Sequence, residues 1–125
     1  MGLYSATVMD HFHHPRNVGC LDPCDARGTS GTPGNGPFML FTARLDGERV
    51  AEVRFQTYGC GPAIAAGSLM TELVAGRALA DTAHLTREEI VAALGGLPEE
   101  KLYCADLAVE AWRRLVIVSP VGPRL

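Results

Sequence analysis

The stretch Tyr58-Gly59-Cys60-Gly61-Pro62-Ala63 constrains the fold most, because it joins two incompatible periodicities. Residues 50–57 before it alternate as a half-buried strand does. Residues 64–75 after it are rich in small side chains and read as a helix. A cysteine between two glycines therefore sits at a strand-to-helix turn. Pro62 suits the first helical position, where a missing N–H costs nothing. A thiol there feels the positive end of the helix dipole, which favours the thiolate needed for nucleophilic attack or metal ligation. Taken alone, Cys60 fits equally a buried thiol that packs as a small hydrophobe.

The flanking patterns extend this unit. Residues 38–45 and 50–57 are strand-like, and Asp46-Gly47 between them is a hairpin signal. In the second strand Ala51, Val53, Phe55 and Thr57 share one face; Val50, Glu52, Arg54 and Gln56 share the other, so one side of the sheet needs burial. The helix after Cys60 places Ala66, Leu69, Met70, Leu73 and Val74 on one stripe, with Gly76 as its cap. Thr86 and Glu89 form a capping box, with Leu85 and Ile90 spaced as a hydrophobic staple, for a helix that ends near Gly95-Gly96. A last helix is expected over residues 104–118, with Leu107, Ala108, Ala111, Leu115 and Val118 inward. Residues 3–14 form an amphipathic helix, with Ser5 near its start and Pro15 as its stop. Residues 22–37 read as an irregular loop with a short edge strand near 29–32, and residues 119–125 as a loose tail. No lysine follows the loop glycines, so they are not a phosphate loop. The expected architecture is α+β: one domain over residues 1–125, with a small antiparallel sheet of about three strands. Helices pack on one face of that sheet.

Composition narrows the function. With 125 residues and 47% apolar side chains, the chain can bury a core without staples. A formal net charge of −3 gives no electrostatic footprint for nucleic acid. No apolar run has the length of a membrane span, and the N-terminus lacks the regions of a signal peptide, so a cytoplasmic protein with reduced thiols is expected. Cysteines at 20, 24, 60 and 104 are too few for a disulfide scaffold, leaving metal or sulfur chemistry or inert core thiols. Cys104 opens the last helix as Cys60 opens an earlier one, so two thiols converge at one end of the sheet. Such a pair suits a soft metal or a sulfur species. Cys20 and Cys24 are further candidate ligands, able to complete a four-thiolate zinc or iron–sulfur site if their loop reaches the other two. Of the three histidines at 11, 13 and 14 only His11 and His14 share a helix face as a candidate metal pair, set against a structural hydrogen-bonding role for His11 and solvated His13 and His14.

Three blocks in order carry a resemblance: Asp10-His11-Phe12 with Pro15-Arg16-Asn17-Val18-Gly19; Phe55 to Ala65 continued by Ser68-Leu69-Met70-Thr71-Glu72; and Lys101-Leu102-Tyr103-Cys104-Ala105-Asp106-Leu107-Ala108. Together they resemble the IscU/NifU-type iron–sulfur cluster assembly scaffolds over nearly the whole chain. The resemblance implies a protein that is not itself an enzyme. Such a protein receives sulfur from a cysteine desulfurase, binds iron, builds a [2Fe–2S] cluster and passes it to iron–sulfur acceptor proteins. It also implies a site of three cysteines, an aspartate and a histidine. Cys60 and Cys104 match the second and third cysteines. Asn35 stands in place of the first cysteine, Pro37 of the aspartate and Tyr103 of the histidine. The chaperone-docking run of these scaffolds here reads Leu97-Pro98-Glu99-Glu100-Lys101.

The resulting expectation is a scaffold-like protein that binds iron, a [2Fe–2S] cluster or zinc through Cys60 and Cys104, with Cys104 as sulfur acceptor. Further candidate ligands are Cys20, Cys24, Tyr103 and Asn35. A cluster bridging a homodimer would supply four thiolates from two chains. The alternatives are a scaffold fold that retains only protein contacts, as a regulatory module, and a structural zinc-binding protein.

Overall fold

Asp46-Gly47 does close a hairpin, and the register of that hairpin sets the sheet. In a computed structural model that describes residues 4–120, strand β2 (Phe38–Asp46) pairs antiparallel with β3 (Arg49–Tyr58), from Phe38 opposite Tyr58 to Asp46 opposite Arg49. Strand β1 (Ala26–Gly31) pairs antiparallel on the other side of β2, giving the order β1-β2-β3. Thus the edge strand is longer than residues 29–32 and begins earlier.

Ala51 breaks the simple alternation. Leu45 faces Val50 and Arg44 faces Glu52, so Ala51 is the extra residue of a β-bulge. The bulge turns Val50 into the core beside Val53 and Phe55 and leaves Ala51 exposed, the reverse of the expected assignment of these two residues. The outer face is not bare either: Leu40 and Thr42 are buried, and the buried Leu21 donates its N–H to Thr42 Oγ1 at 2.9 Å. The segment after the first helix crosses this face on its way to β1. It starts at the far edge, where Asn17 and Gly19 hydrogen-bond the Phe55 backbone, and ends where Asp25 N–H meets Ala43 O.

Helices cover the inner face. Helix α1 (Ala6–His13) is capped by Ser5, whose hydroxyl accepts from Val8 N–H at 3.0 Å and also bonds Leu94 O. Helix α2 is Gly61–Val74, α3 Leu79–Thr82, α4 Arg87–Ala93 and α5 Leu102–Val118; a 3₁₀ turn (Glu99–Lys101) precedes α5. The Thr86–Glu89 capping box is present, and Leu85 and Ile90 are both buried beside it. None of the helices among the described residues is long and apolar enough to cross a membrane.

Two glycines let α2 and α5 approach. A Cβ on Gly67 would lie 2.4 Å from the Phe55 ring, and one on Gly28 would lie 2.3 Å from Ala111 O and Leu115 N. The small face of α2 thus lies on β3, and the middle of α5 lies on β1. Trp112, outside the expected stripe, is buried edge-on to Phe41 at 5.6 Å between centroids, and its indole N–H reaches Thr82 Oγ1 at 2.8 Å. Val118, expected inside, is 64% exposed, at the rim of an open hollow between the end of α5 and Gly28 and Thr29 of β1. Ser119 is buried rather than part of a loose tail, while the expected start at Leu3 and residues 121–125 lie outside the described residues.

Gly28→Ala should cost more than about 2 kcal/mol in denaturant unfolding, because a methyl there meets backbone that cannot rotate away. Unchanged stability would contradict this seating of α5 on β1.

Candidate metal and sulfur centre

Gly59 ends the extended backbone of β3, and Cys60 then becomes the N-cap of α2, with Pro62 in its first turn. Pro62 is the second helical residue rather than the first, since the helix begins at Gly61. Cys104 occupies the first turn of α5, after the 3₁₀ turn that bends the chain toward the sheet. The two helix starts meet. Cys60 Sγ lies 3.6 Å from Cys104 Sγ and 3.6 Å from Tyr103 Oη.

The N-terminal signature builds the wall behind this meeting point. Ser68 Oγ, on α2, accepts the Arg16 backbone N–H at 2.9 Å and contacts His11 Nδ1 at 2.7 Å. With the Ser68 proton directed at Nδ1, His11 carries its own proton on Nε2, which faces the Glu72 carboxylate at 3.5 Å. Burial and the nearby Arg16 charge lower the His11 pKa, so it acts as a neutral structural residue. Asn17 Nδ2 adds a bond to Thr71 Oγ1, and the Phe12 ring packs against Gly61, 3.1 Å from where a Cβ would stand. Sequence reasoning missed this Phe12 contact; its only signal was the glycine following Cys60.

Electrostatics separate the two thiols. Burial alone would raise the Cys60 pKa, but the Tyr103 hydroxyl, the Ala63 N–H, the Cys104 thiol and the Lys101 charge together hold it below the ordinary thiol value. Cys104, fully buried, is pushed up to about 12 by burial first and by its contact with Cys60 second. Tyr103 is raised above the ordinary phenol, first through its hydrogen bond to Cys60 and then through the Cys104 charge, so it remains a neutral donor. The Lys101 ammonium sits 6.0 Å over the Tyr103 ring.

The remaining candidates are not gathered here. Asn35 lies in the exposed 32–37 loop, its N–H turned back on Thr32 O at 3.0 Å. That loop reaches the site's flank only at Pro37, which borders a shallow hollow of about 270 Å³ with Tyr103, Asp106 and Glu110. Cys20 is exposed, and Cys24 adjoins Asp25, whose N–H bonds Ala43 O. Ala43 stands five residues along β2 from Phe38, roughly 17 Å from the Cys60 end at a strand rise of about 3.3 Å per residue. Among the described residues no three His, Cys, Asp or Glu side chains form a metal-holding group, so the four-thiolate site expected within one chain is not assembled.

Residues 3–117 match the family described as NifU-like N terminal domain. The chain belongs to this family. Similar relatives include an iron–sulfur cluster assembly scaffold protein IscU of Archaeoglobus fulgidus, 40% identical over 115 residues, with 92% of this chain and 75% of the relative covered. The protein of the same description in Aquifex aeolicus is 43% identical over 109 residues, covering 86% of this chain and 69% of that one. A solved NifU-like N-terminal structure from Brucella abortus superposes with a TM-score of 0.58 at 17% identity, covering 88% of this chain and 78% of that one; it supports the fold. The α+β architecture with a three-stranded antiparallel sheet is therefore the NifU-like one.

Within this NifU-like domain the thiol pair fits one soft ion. Two thiolates on a tetrahedral metal, each about 2.3 Å from it, stand roughly 3.8 Å apart. The observed 3.6 Å matches without rearrangement of the helices. Two further ligands are needed for four-coordination.

Iodoacetamide should modify Cys60 well before Cys104 near neutral pH, because the thiolate is the reactive form and only Cys60 has a lowered pKa. Tyr103→Phe should move the Cys60 rate profile to higher pH. Peptide mass mapping across a pH series checks both; earlier modification of Cys104 would contradict the assignment.

Proposed function

We propose that this chain is an iron–sulfur cluster assembly scaffold whose site is reduced to two thiolates, Cys60 and Cys104. The observation that carries the reading is the 3.6 Å separation of the two sulfurs at converging helix starts, in a domain whose relatives are named as such scaffolds. Iron and sulfide are then cargo, and the protein is a carrier rather than an enzyme. Sulfur would come from a cysteine desulfurase. The Cys60 thiolate attacks the outer sulfur of the donor's persulfide, a new S–S bond forms, and the donor cysteine leaves as a thiolate. Accessibility and charge favour Cys60 over Cys104 as acceptor, since Cys104 is fully buried and its pKa is raised.

The two missing ligands are best supplied by a second copy, so a [2Fe–2S] cluster would bridge a homodimer through four thiolates before transfer to an acceptor protein. Asn35 offers only a neutral amide oxygen, and Tyr103 would ligate only if metal displaced its proton. Cys20 and Cys24 lie outside this ligand set. A reducing compartment such as the cytoplasm keeps both site thiols free.

Asn35 and Pro37 favour one second reading, a scaffold fold that keeps only protein contacts as a regulatory module, because the loop that should bring the other ligands brings none. Anaerobic reconstitution with iron, sulfide and a desulfurase separates the two. The expected result is cluster absorption at one cluster per two chains, lost in Cys60→Ser. Neither metal nor cluster, with a desulfurase or iron–sulfur client retained in a pull-down, would favour the second reading, and neither cluster nor such a partner would contradict both.

A further inference from the structure

We propose that the Cys60–Cys104 pair has a further activity: it reductively releases sulfide from a persulfide formed on Cys60. This rests on the reading above in one respect, that Cys60 accepts sulfane sulfur. The two sulfurs are in nonbonded contact at 3.6 Å, so about 1.5 Å of closure brings them to disulfide length. Closure is local. Cys60 stands between Gly59 and Gly61, neither of which carries a side chain that must follow it, at the very start of its helix.

Exposure orders the events. Cys60 is half-buried and open to a donor, whereas Cys104 is fully buried and has Cys60 and Tyr103 as its polar neighbours. An incoming sulfur therefore reaches Cys60 first, and Cys60 Sγ is the sulfur that Cys104 can attack. No third thiol or carboxylate stands with them in a metal-holding group among the described residues. The persulfide thus faces one thiol and one phenol hydroxyl, with the Lys101 ammonium over the phenol ring.

In the step, the terminal sulfur of the Cys60 persulfide anion takes the Cys104 proton, and the Cys104 thiolate so formed bonds to Cys60 Sγ. The bond from Cys60 Sγ to the sulfane sulfur breaks, and that sulfur leaves as hydrosulfide with the Cys104 proton. Two thiol sulfurs are oxidised to one disulfide, and the sulfane sulfur is reduced to sulfide by the same two electrons. A cellular dithiol then returns the disulfide to two thiols by exchange. The domain would supply its own first pair of electrons for sulfide production, at the place where metal is to be held.

The test uses the full chain, stripped of metal, under anaerobic conditions with stoichiometric glutathione persulfide. Released sulfide, intact mass and disulfide mapping are followed together. The expected result is one sulfide per chain above a Cys60→Ser control, with a Cys60–Cys104 disulfide in the same sample. Cys104→Ala should gain one sulfur atom on Cys60 and release none. A wild-type protein that keeps its persulfide on Cys60, or passes it to Cys104 without releasing sulfide, overturns this proposal and leaves the scaffold reading intact. No sulfur on Cys60 in either wild type or Cys104→Ala overturns sulfur acceptance itself, and this proposal with it. Disulfide mapping is done on wild type, so the test stands even if Cys104→Ala fails to fold.

Discussion

The site depends on how closely two helices lie on one face of a three-stranded sheet. Gly67 allows the Phe55 ring to fill the space where a side chain of α2 would stand, and Gly28 allows the backbone of α5 to rest on β1. With both helices drawn down, their first turns are brought to the same end of the sheet and the thiols on those turns come into contact. The hydrogen bonds of Ser68 to His11 and Arg16 then tie α1 against α2 and hold the Phe12 ring over Gly61. The N-terminal signature thus acts on the site without touching a reacting atom. Its role is to hold the start of α2 in place.

The contact makes two identical side chains chemically different. Cys60 is reached by a phenol, a backbone N–H and an ammonium, all of which favour its anion, while Cys104 lies in the core and next to that anion. Cys60 is the more accessible thiol and the one whose anion is favoured. A metal ion held by both sulfurs would remove this asymmetry by stabilising the two thiolates together, so under the proposed function one geometry would serve sulfur acceptance and metal binding in turn.

Much of this was legible in the chain. Alternation and Asp46-Gly47 specified the hairpin, Thr86 and Glu89 the cap of α4, and the Gly-Cys-Gly-Pro turn the place of Cys60. The bulge at Ala51 was not legible, because Val50 and Ala51 are both apolar and only the pairing with Leu45 and Arg44 decides which one turns inward. Trp112 was missed because its burial depends on Thr82 and Phe41, partners distant in sequence. In the site, the helix-start positions of both cysteines followed from local signals. Which thiol is the more acidic did not, since that follows from the burial of Cys104 and from the groups gathered around Cys60, which no local pattern encodes. Cys20 and Cys24 looked like ligands by spacing alone, and the hydrogen bonds that lay their segment across the sheet keep them out of the group.

Cys60 and Cys104 form a closely spaced dithiol across two helix starts. Trivalent arsenicals bridge two thiols only when both can reach one arsenic atom, so binding of phenylarsine oxide to the reduced, metal-free chain measures the pairing directly. The Cys60–Cys104 pairing predicts one arsenic per chain, linking the peptides of these two residues and lost when either is replaced by serine. Arsenic bound through Cys20 and Cys24 alone, or no bridging at all, would contradict it.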